Sequence, residues 1–152
     1  MRAVIDSSTW ISLARAGLLQ VLRAAAVDPV LLDVVHTEIV DEGRRGGHAD
    51  AAALAAAVAG MSPTYTGRGN AAVDARVLEG AQAVGLLIAN DLALGRRARS
   101  LGVAWIRTAD LVLIAVQNGS MSVVEGTDAL QALLDSGRIT PELADAYKAQ
   151  LQ

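Results

Sequence analysis

The chain opens on a short apolar run, Ala3-Val4-Ile5, that stops at Asp6, and a run this brief and this apolar predicts a buried strand. Ser7 and Ser8 follow with side chains suited to capping a helix, and Trp10, Ile11, Leu13 and Ala14 carry helical spacing as far as Gly17. The pattern then returns. Val30-Leu31-Leu32 predicts a second buried strand, and 34–42 a helix stopped by Gly43. Arg44-Arg45-Gly46-Gly47 reads as a mobile basic loop, and the alanine-rich stretch 49–59 as a helix ending at Gly60. Residues 62–70 carry a proline and two glycines and predict a loop.

From Ala71 the helical period resumes through Val73, Val77, Leu78, Ala81 and Val84 to Gly85. Leu86-Leu87-Ile88-Ala89, apolar throughout, predicts a buried parallel strand ended by Asn90-Asp91. A short helix over 92–100, a strand over 103–106 and a helix over 109–118 capped by Thr108 come next. Two helices, 122–136 and 141–151, complete the reading. Strands alternating with helices imply an α/β fold with a parallel sheet covered on both faces. Such sheets place their sites at the carboxyl ends of the strands.

Composition narrows the function more than the fold. At 152 residues, with neither repeat nor low-complexity linker, one domain is expected over 1–152. Its 13 basic against 16 acidic residues give a net charge of -3, so any nucleic-acid contact must come from a local patch. Lys148 is the only lysine and the other basic residues are arginines, whose planar fork suits phosphate. The four aromatics Trp10, Tyr65, Trp105 and Tyr147 are too few for the base-stacking rows of RRM or OB modules. The lack of cysteine removes disulfides, thiolate zinc sites and thiol nucleophiles, and His36 and His48 are too few for a histidine-rich metal site. No apolar run approaches the ~18 residues of a membrane span. Asp6 also stands where a signal peptide needs its apolar stretch, so a cytoplasmic protein with no membrane partner is expected.

The acids carry the chemistry. Asp6 directly follows the first predicted strand and Asp91 closely follows the apolar run 86–89, so both belong to the carboxyl edge. Asp74 lies in the first turns of the helix feeding that later strand, and Glu38 in the helix after the second strand. Oxygen-only clusters select hard cations such as Mg²⁺ or Mn²⁺. In a two-metal site the ions stand ~3.5–4 Å apart, one activating water and one stabilising the leaving oxygen of a phosphodiester. Each acid also has a plainer use. Asp6 and Asp91 suit helix caps, Glu38 shares an acidic helix face with Asp41 and Glu42, its substitutes as ligand, and Asp74 gains from the helix dipole. Asp110 reads as a helix-terminal residue rather than a ligand.

In order and spacing, Val4-Ile5-Asp6-Ser7-Ser8, Val35-His36-Thr37-Glu38-Ile39, Asp74-Ala75-Arg76-Val77-Leu78 and Leu87-Ile88-Ala89-Asn90-Asp91 resemble the motifs of the PIN-domain family. The resemblance covers about residues 1–110, and 111–152 looks like a helical C-terminal extension packed on the domain. It implies a PIN-like three-layer α/β/α fold and a Mg²⁺/Mn²⁺-dependent endoribonuclease acting on single-stranded RNA, as in the VapC-type toxins of toxin–antitoxin pairs. It further implies Asp6, Glu38, Asp74 and Asp91 as the metal-binding, catalytic acids, with Ser7 as the hydroxyl supporting the first. The sequence departs from that pattern at Ala89, where Thr is frequent, and at Asn70, where an acid is common.

Arg44, Arg45, Arg68, Arg96 and Arg97 are the phosphate-binding candidates, with Arg99 beside the last two, and each also reads as solvated surface. Two other functions fit the same residues: a catalytically weak PIN-like module that binds RNA or protein, and a receiver-like phosphoaspartate switch. The switch needs a lysine near the phosphate, and Lys148 lies in the last helix. An antitoxin protein is the partner the resemblance implies, and the late apolar helices offer faces for a homodimer.

Overall fold

The computed structural model describes residues 1–43, 46–47, 50–66 and 72–152. Arg44, Arg45, His48, Arg68, Asn70 and Ala71 lie outside the described residues. The elements in chain order are β1 (Arg2–Ile5), α1 (Ser7–Arg15), α2 (Val21–Ala24), β2 (Asp28–Val30) and α3 (Asp33–His36). A π-helical segment, Thr37–Glu42, continues α3. There follow α4 (Ala51–Val58), α5 (Val73–Val84), β3 (Leu86–Ile88), α6 (Leu92–Ser100) and β4 (Ala104–Ile106). Last come α7 (Thr108–Gln117), α8 (Val123–Asp135) and α9 (Pro141–Leu151).

The four strands form one all-parallel sheet in the order β2-β1-β3-β4, with helices around it in an arrangement compatible with three layers. The order explains the layering. β1 steps one way to β2, and the chain then crosses back over β1 to β3 and on to β4. Right-handed crossovers therefore put α1 and α2 on one face and α5 and α6 on the other. The contacts agree: α5 packs on β1, β3, α3 and α6, whereas α1 and α2 pack on α7, which α8 and α9 cover in turn. Ala3, Val4, Ile5, Leu87 and Ile88 are wholly buried, as strands covered on both faces must be. Among the described residues no helix is long and apolar enough to cross a membrane.

Several local expectations are corrected. The second strand lies at Asp28–Val30, and Leu32 belongs instead to an isolated parallel bridge with Thr64. Asp33 fastens that bridge, its Oδ1 accepting the Thr66 N–H at 3.0 Å and the Thr66 hydroxyl at 2.9 Å. The N–H of Asp28 faces β1, so Pro29 faces outward without an N–H, and the β2 edge is poorly suited to a further strand. The helix expected over 34–42 turns π-helical at Thr37, where i→i+5 bonds widen the turn and take Glu38 and Asp41 off α-helical spacing.

Thr108 does not cap α7. It is the first helical residue and fully buried, while Arg107 holds the N-cap and gives its N–H to Asp110 Oδ2 at 2.7 Å. Asp110 Oδ1 also accepts the Tyr147 hydroxyl at 3.0 Å, so its helix-terminal role holds and it fastens α9 to α7. Gly85 ends α5 at φ +100, a left-handed conformation that lets the chain turn straight into β3. Helix α2 was not anticipated: four residues carry too little period to register.

Candidate functional site

In the order β2-β1-β3-β4 the connections leave in opposite directions from β1 and β3, and the crevice at the carboxyl ends of that pair is where open α/β sheets bind ligands. Ile5 pairs with Ile88, and the Asp6 N–H donates to the Ile88 carbonyl at 2.9 Å, carrying the ladder one residue past β1. Asp6 therefore stands at the mouth of the crevice, in extended backbone at the N-cap of α1. Its carboxylate is largely buried, and that desolvation raises its pKa above the ordinary carboxylate value. The Ser8 hydroxyl and the adjacent Ser7 and Ser8 N–H groups oppose the rise, and the negative charge of Asp74 adds to it.

The hydroxyl that reaches Asp6 belongs to Ser8, which donates to Oδ2 at 3.1 Å. Ser7, the hydroxyl expected there from the sequence, is instead buried, with no hydrogen-bond partner among the described residues. Ser8 is itself held by Asn90, whose backbone N–H donates to Ser8 Oγ at 3.3 Å. The Asn90 side chain ties three elements together. Nδ2 donates to Ser12 Oγ at 3.1 Å, and Oδ1 accepts the Thr108 N–H at 3.2 Å and the Thr108 hydroxyl at 2.8 Å. Thr108 has a single hydroxyl proton, so its 3.0 Å contact with buried Thr9 has Thr9 as donor. Ser12 donates to the Ser8 carbonyl at 2.7 Å and accepts from Arg138 Nε at 2.9 Å.

This network under Asp6 was not foreseen in the sequence. Its one visible signal was the cluster Ser7, Ser8, Thr9 and Ser12 in a helix that also carries Trp10 and Leu13, since buried hydroxyls require partners.

The other acids divide. Asp74 is exposed in the first turn of α5, close enough for its charge to act on Asp6. Asp91 caps α6, its Oδ1 accepting the Leu94 N–H at 3.0 Å, the plainer use foreseen for it; the carboxylate keeps its second oxygen. Glu38, half-buried, lines a cavity of about 200 Å³ with Ile11, Arg15, Ile39, Asp50 and Leu54. Arg15 and Asp50 pair there at 3.5 Å. The Arg138 pKa is lowered by partial burial and by the charge of Arg15, with Asp50 opposing. Arg96 and Arg97 are exposed on α6.

Among the described residues no three His, Asp or Glu side chains stand together as a ready-made metal-binding group. The donor set fits a hard cation in another way. Asp6 and Asp74 bring two negative charges together, and among the described residues no cationic side chain pairs with either. Mg²⁺ is commonly held by one or two carboxylates while keeping several waters. Comparison with family models, curated proteins and solved structures finds no match for this chain.

Proposed function

We propose that this chain is a PIN-like endoribonuclease that hydrolyses single-stranded RNA with Mg²⁺ or Mn²⁺. The observation that carries the reading is the largely buried Asp6 carboxylate at the sheet's switch point, under the charge of Asp74 and held, among the described residues, by neutral donors. A desolvated carboxylate with a second negative charge acting on it from the surface is costly unless a cation joins it. In this reading Asp6 and Asp74 hold the ion, while Asp91 caps α6 at the same carboxyl edge. A bound divalent ion supplies a water acidified toward neutral pH and a positive charge for the leaving oxygen. Ser8 fixes the orientation of the Asp6 carboxylate, and Asn90 fixes Ser8. Glu38, which lines the cavity with Arg15 and Asp50, is not a member of the pair.

The placement of Lys148 favours this reading over a phosphoaspartate switch. Its ammonium donates to Gln131 Oε1 at 2.7 Å, joining α9 to α8. The test is cleavage of an end-labelled single-stranded RNA by the full chain. Cleavage is expected with Mn²⁺ or Mg²⁺, none in EDTA, and a fall of about 100-fold or more in Asp6→Asn and Asp74→Asn, equivalent to about 2.7 kcal/mol of barrier. Cleavage that persists in EDTA, or an Asp6→Asn variant at the wild-type rate, overturns the proposal.

A further inference from the structure

Trp105, near the end of edge strand β4, is nearly buried, and its ring is held from several sides. Its indole N–H donates to the Ala89 carbonyl at 2.9 Å, two residues before Asp91. Gly95 of α6 lies so close that a Cβ there would come within 2.0 Å of the ring. Against this fixed ring stand two guanidiniums, Arg99 with Cζ 5.1 Å and Arg107 with Cζ 5.2 Å from the centroid. Arg99 comes from the last turn of α6, and helical side chains lean toward the N-terminus, here toward Asp91 and the carboxyl edge. Arg107 comes from that edge itself, one residue past β4.

Two like charges gathered on one ring repel each other, and among the described residues no carboxylate forms an ion pair with either. Stacking leaves the N–H rim of a guanidinium available, a geometry that lysine cannot reproduce. Position adds the rest. Ile5, Ile88 and Ile106 stand in register across three strands, so the following residues Asp6, Ala89 and Arg107 form a row across the carboxyl edge. With strands ~4.8 Å apart, Arg107 begins about 10 Å from Asp6.

We propose that Arg99 and Arg107, stacked on Trp105, form a phosphate clamp that holds the RNA backbone where it leaves the Asp6 site across the end of β4. The clamp rests on the nuclease reading above; it gives Arg99 a defined place and adds Arg107 to the phosphate contacts. It grips sugar-phosphate without reading bases, since Trp105 is too buried to stack on one.

The test uses the full chain carrying Asp6→Asn, which removes cleavage, and a fluorescent 12-nucleotide single-stranded RNA in Mg²⁺, with Kd followed by anisotropy across a series of salt concentrations. Adding Arg99→Ala and Arg107→Ala is expected to weaken binding about tenfold or more at low salt. It is also expected to flatten the slope of log K against log salt by about 1.4, at ~0.7 per phosphate contact on a single strand. Arg99→Lys with Arg107→Lys, which keeps the charge and the fold, restores the slope and recovers the affinity only in part. An unchanged slope in a folded alanine variant, with the parent still binding RNA, overturns the clamp and leaves the nuclease reading standing. A parent that binds no RNA overturns both. Polyglutamate displacing the probe as well as unlabelled RNA does would make the clamp a site for acidic protein, and overturns its assignment to RNA.

Discussion

Gly95→Ala isolates the contact that fixes Trp105. In an ordinary helix interior this change stabilises by about 1 kcal/mol, because alanine gives up less backbone freedom than glycine. Here the new Cβ would lie 2.0, 2.2 and 2.3 Å from Cε2, Cδ2 and Cζ2 of the indole, where ordinary contact begins at 3.4 Å. The ring must retreat by about 1.4 Å, and its N–H then loses the Ala89 carbonyl now held at 2.9 Å. Overpacking costs about 1–3 kcal/mol, and a buried N–H left without a partner about 1–3 kcal/mol more. Set against the helix gain, the net loss is about 1–5 kcal/mol, centred near 3.

Urea unfolding followed by far-UV circular dichroism measures that loss. A second variant identifies its source. With Trp105→Leu the obstructing ring is gone, so adding Gly95→Ala should be neutral or gain up to about 1 kcal/mol, a coupling of about 2 kcal/mol or more between the two positions. A Gly95→Ala protein as stable as wild type, or additive losses in the double variant, would refute the packing described for Trp105 and with it the rigid support of the clamp.

Asp6→Asn in EDTA should be more stable than wild type at neutral pH. A raised folded-state pKa means that Asp6 contributes most when protonated and loses that contribution as pH rises through its folded pKa, so melting curves of the two proteins should converge toward and below pH 3.8. Tyr147, pushed up to about 12 by burial and by Asp110, keeps its contribution below pH 10 and loses it as pH rises toward about 12. Wild type should therefore show an alkaline loss of stability that Tyr147→Phe lacks, and a matching loss in the variant would remove the cause. Asn90→Ala strips partners from Ser12 and Thr108 and should cost about 2–4 kcal/mol in urea unfolding; a loss under about 1 kcal/mol would mean that water replaces the amide. Ser8→Ala removes a bond that lowers the Asp6 pKa, so the acidic limb of the metal-dependent melting shift should move to higher pH, and an unmoved limb would deny Ser8 its hold on Asp6.

Asp6 and Asp91 were legible because both facts about them are local: each comes just after a short apolar run, and a short apolar run in an alternating chain is a parallel strand. Asp74 was legible as a helix-start acid, although its approach to Asp6 depends on how α5 packs on β1. The network beneath them was not legible. Arg138 and Ser12 are 126 residues apart and Asn90 and Ser12 are 78 apart, and no local period encodes such a pairing. Thr108 shows the competition directly, since its local chemistry favours a cap and a long-range partner, Asn90, took the side chain inward. The π-helical turn escaped for a different reason: over six residues a widened turn and an α-helix differ too little in hydrophobic period to be told apart.

What holds Asp6 bears on what Asp6 can do. An arginine or lysine at hydrogen-bond distance would complete an ion pair, lower the carboxyl pKa and leave little for a metal ion to gain. Among the described residues the donors to Asp6 are hydroxyl and N–H groups, which orient the carboxylate without cancelling its charge. Arg138, the one arginine in the network among the described residues, is kept a step away, donating to Ser12 rather than to the acid. Asn90 follows the same logic at the adjoining strand end. An aspartate there would keep the acceptor for Thr108, lose the donor to Ser12 and set another negative charge near Asp6 and Asp91. The amide is the side chain that joins β3, α1 and α7 while leaving the field at the carboxyl edge to the acids.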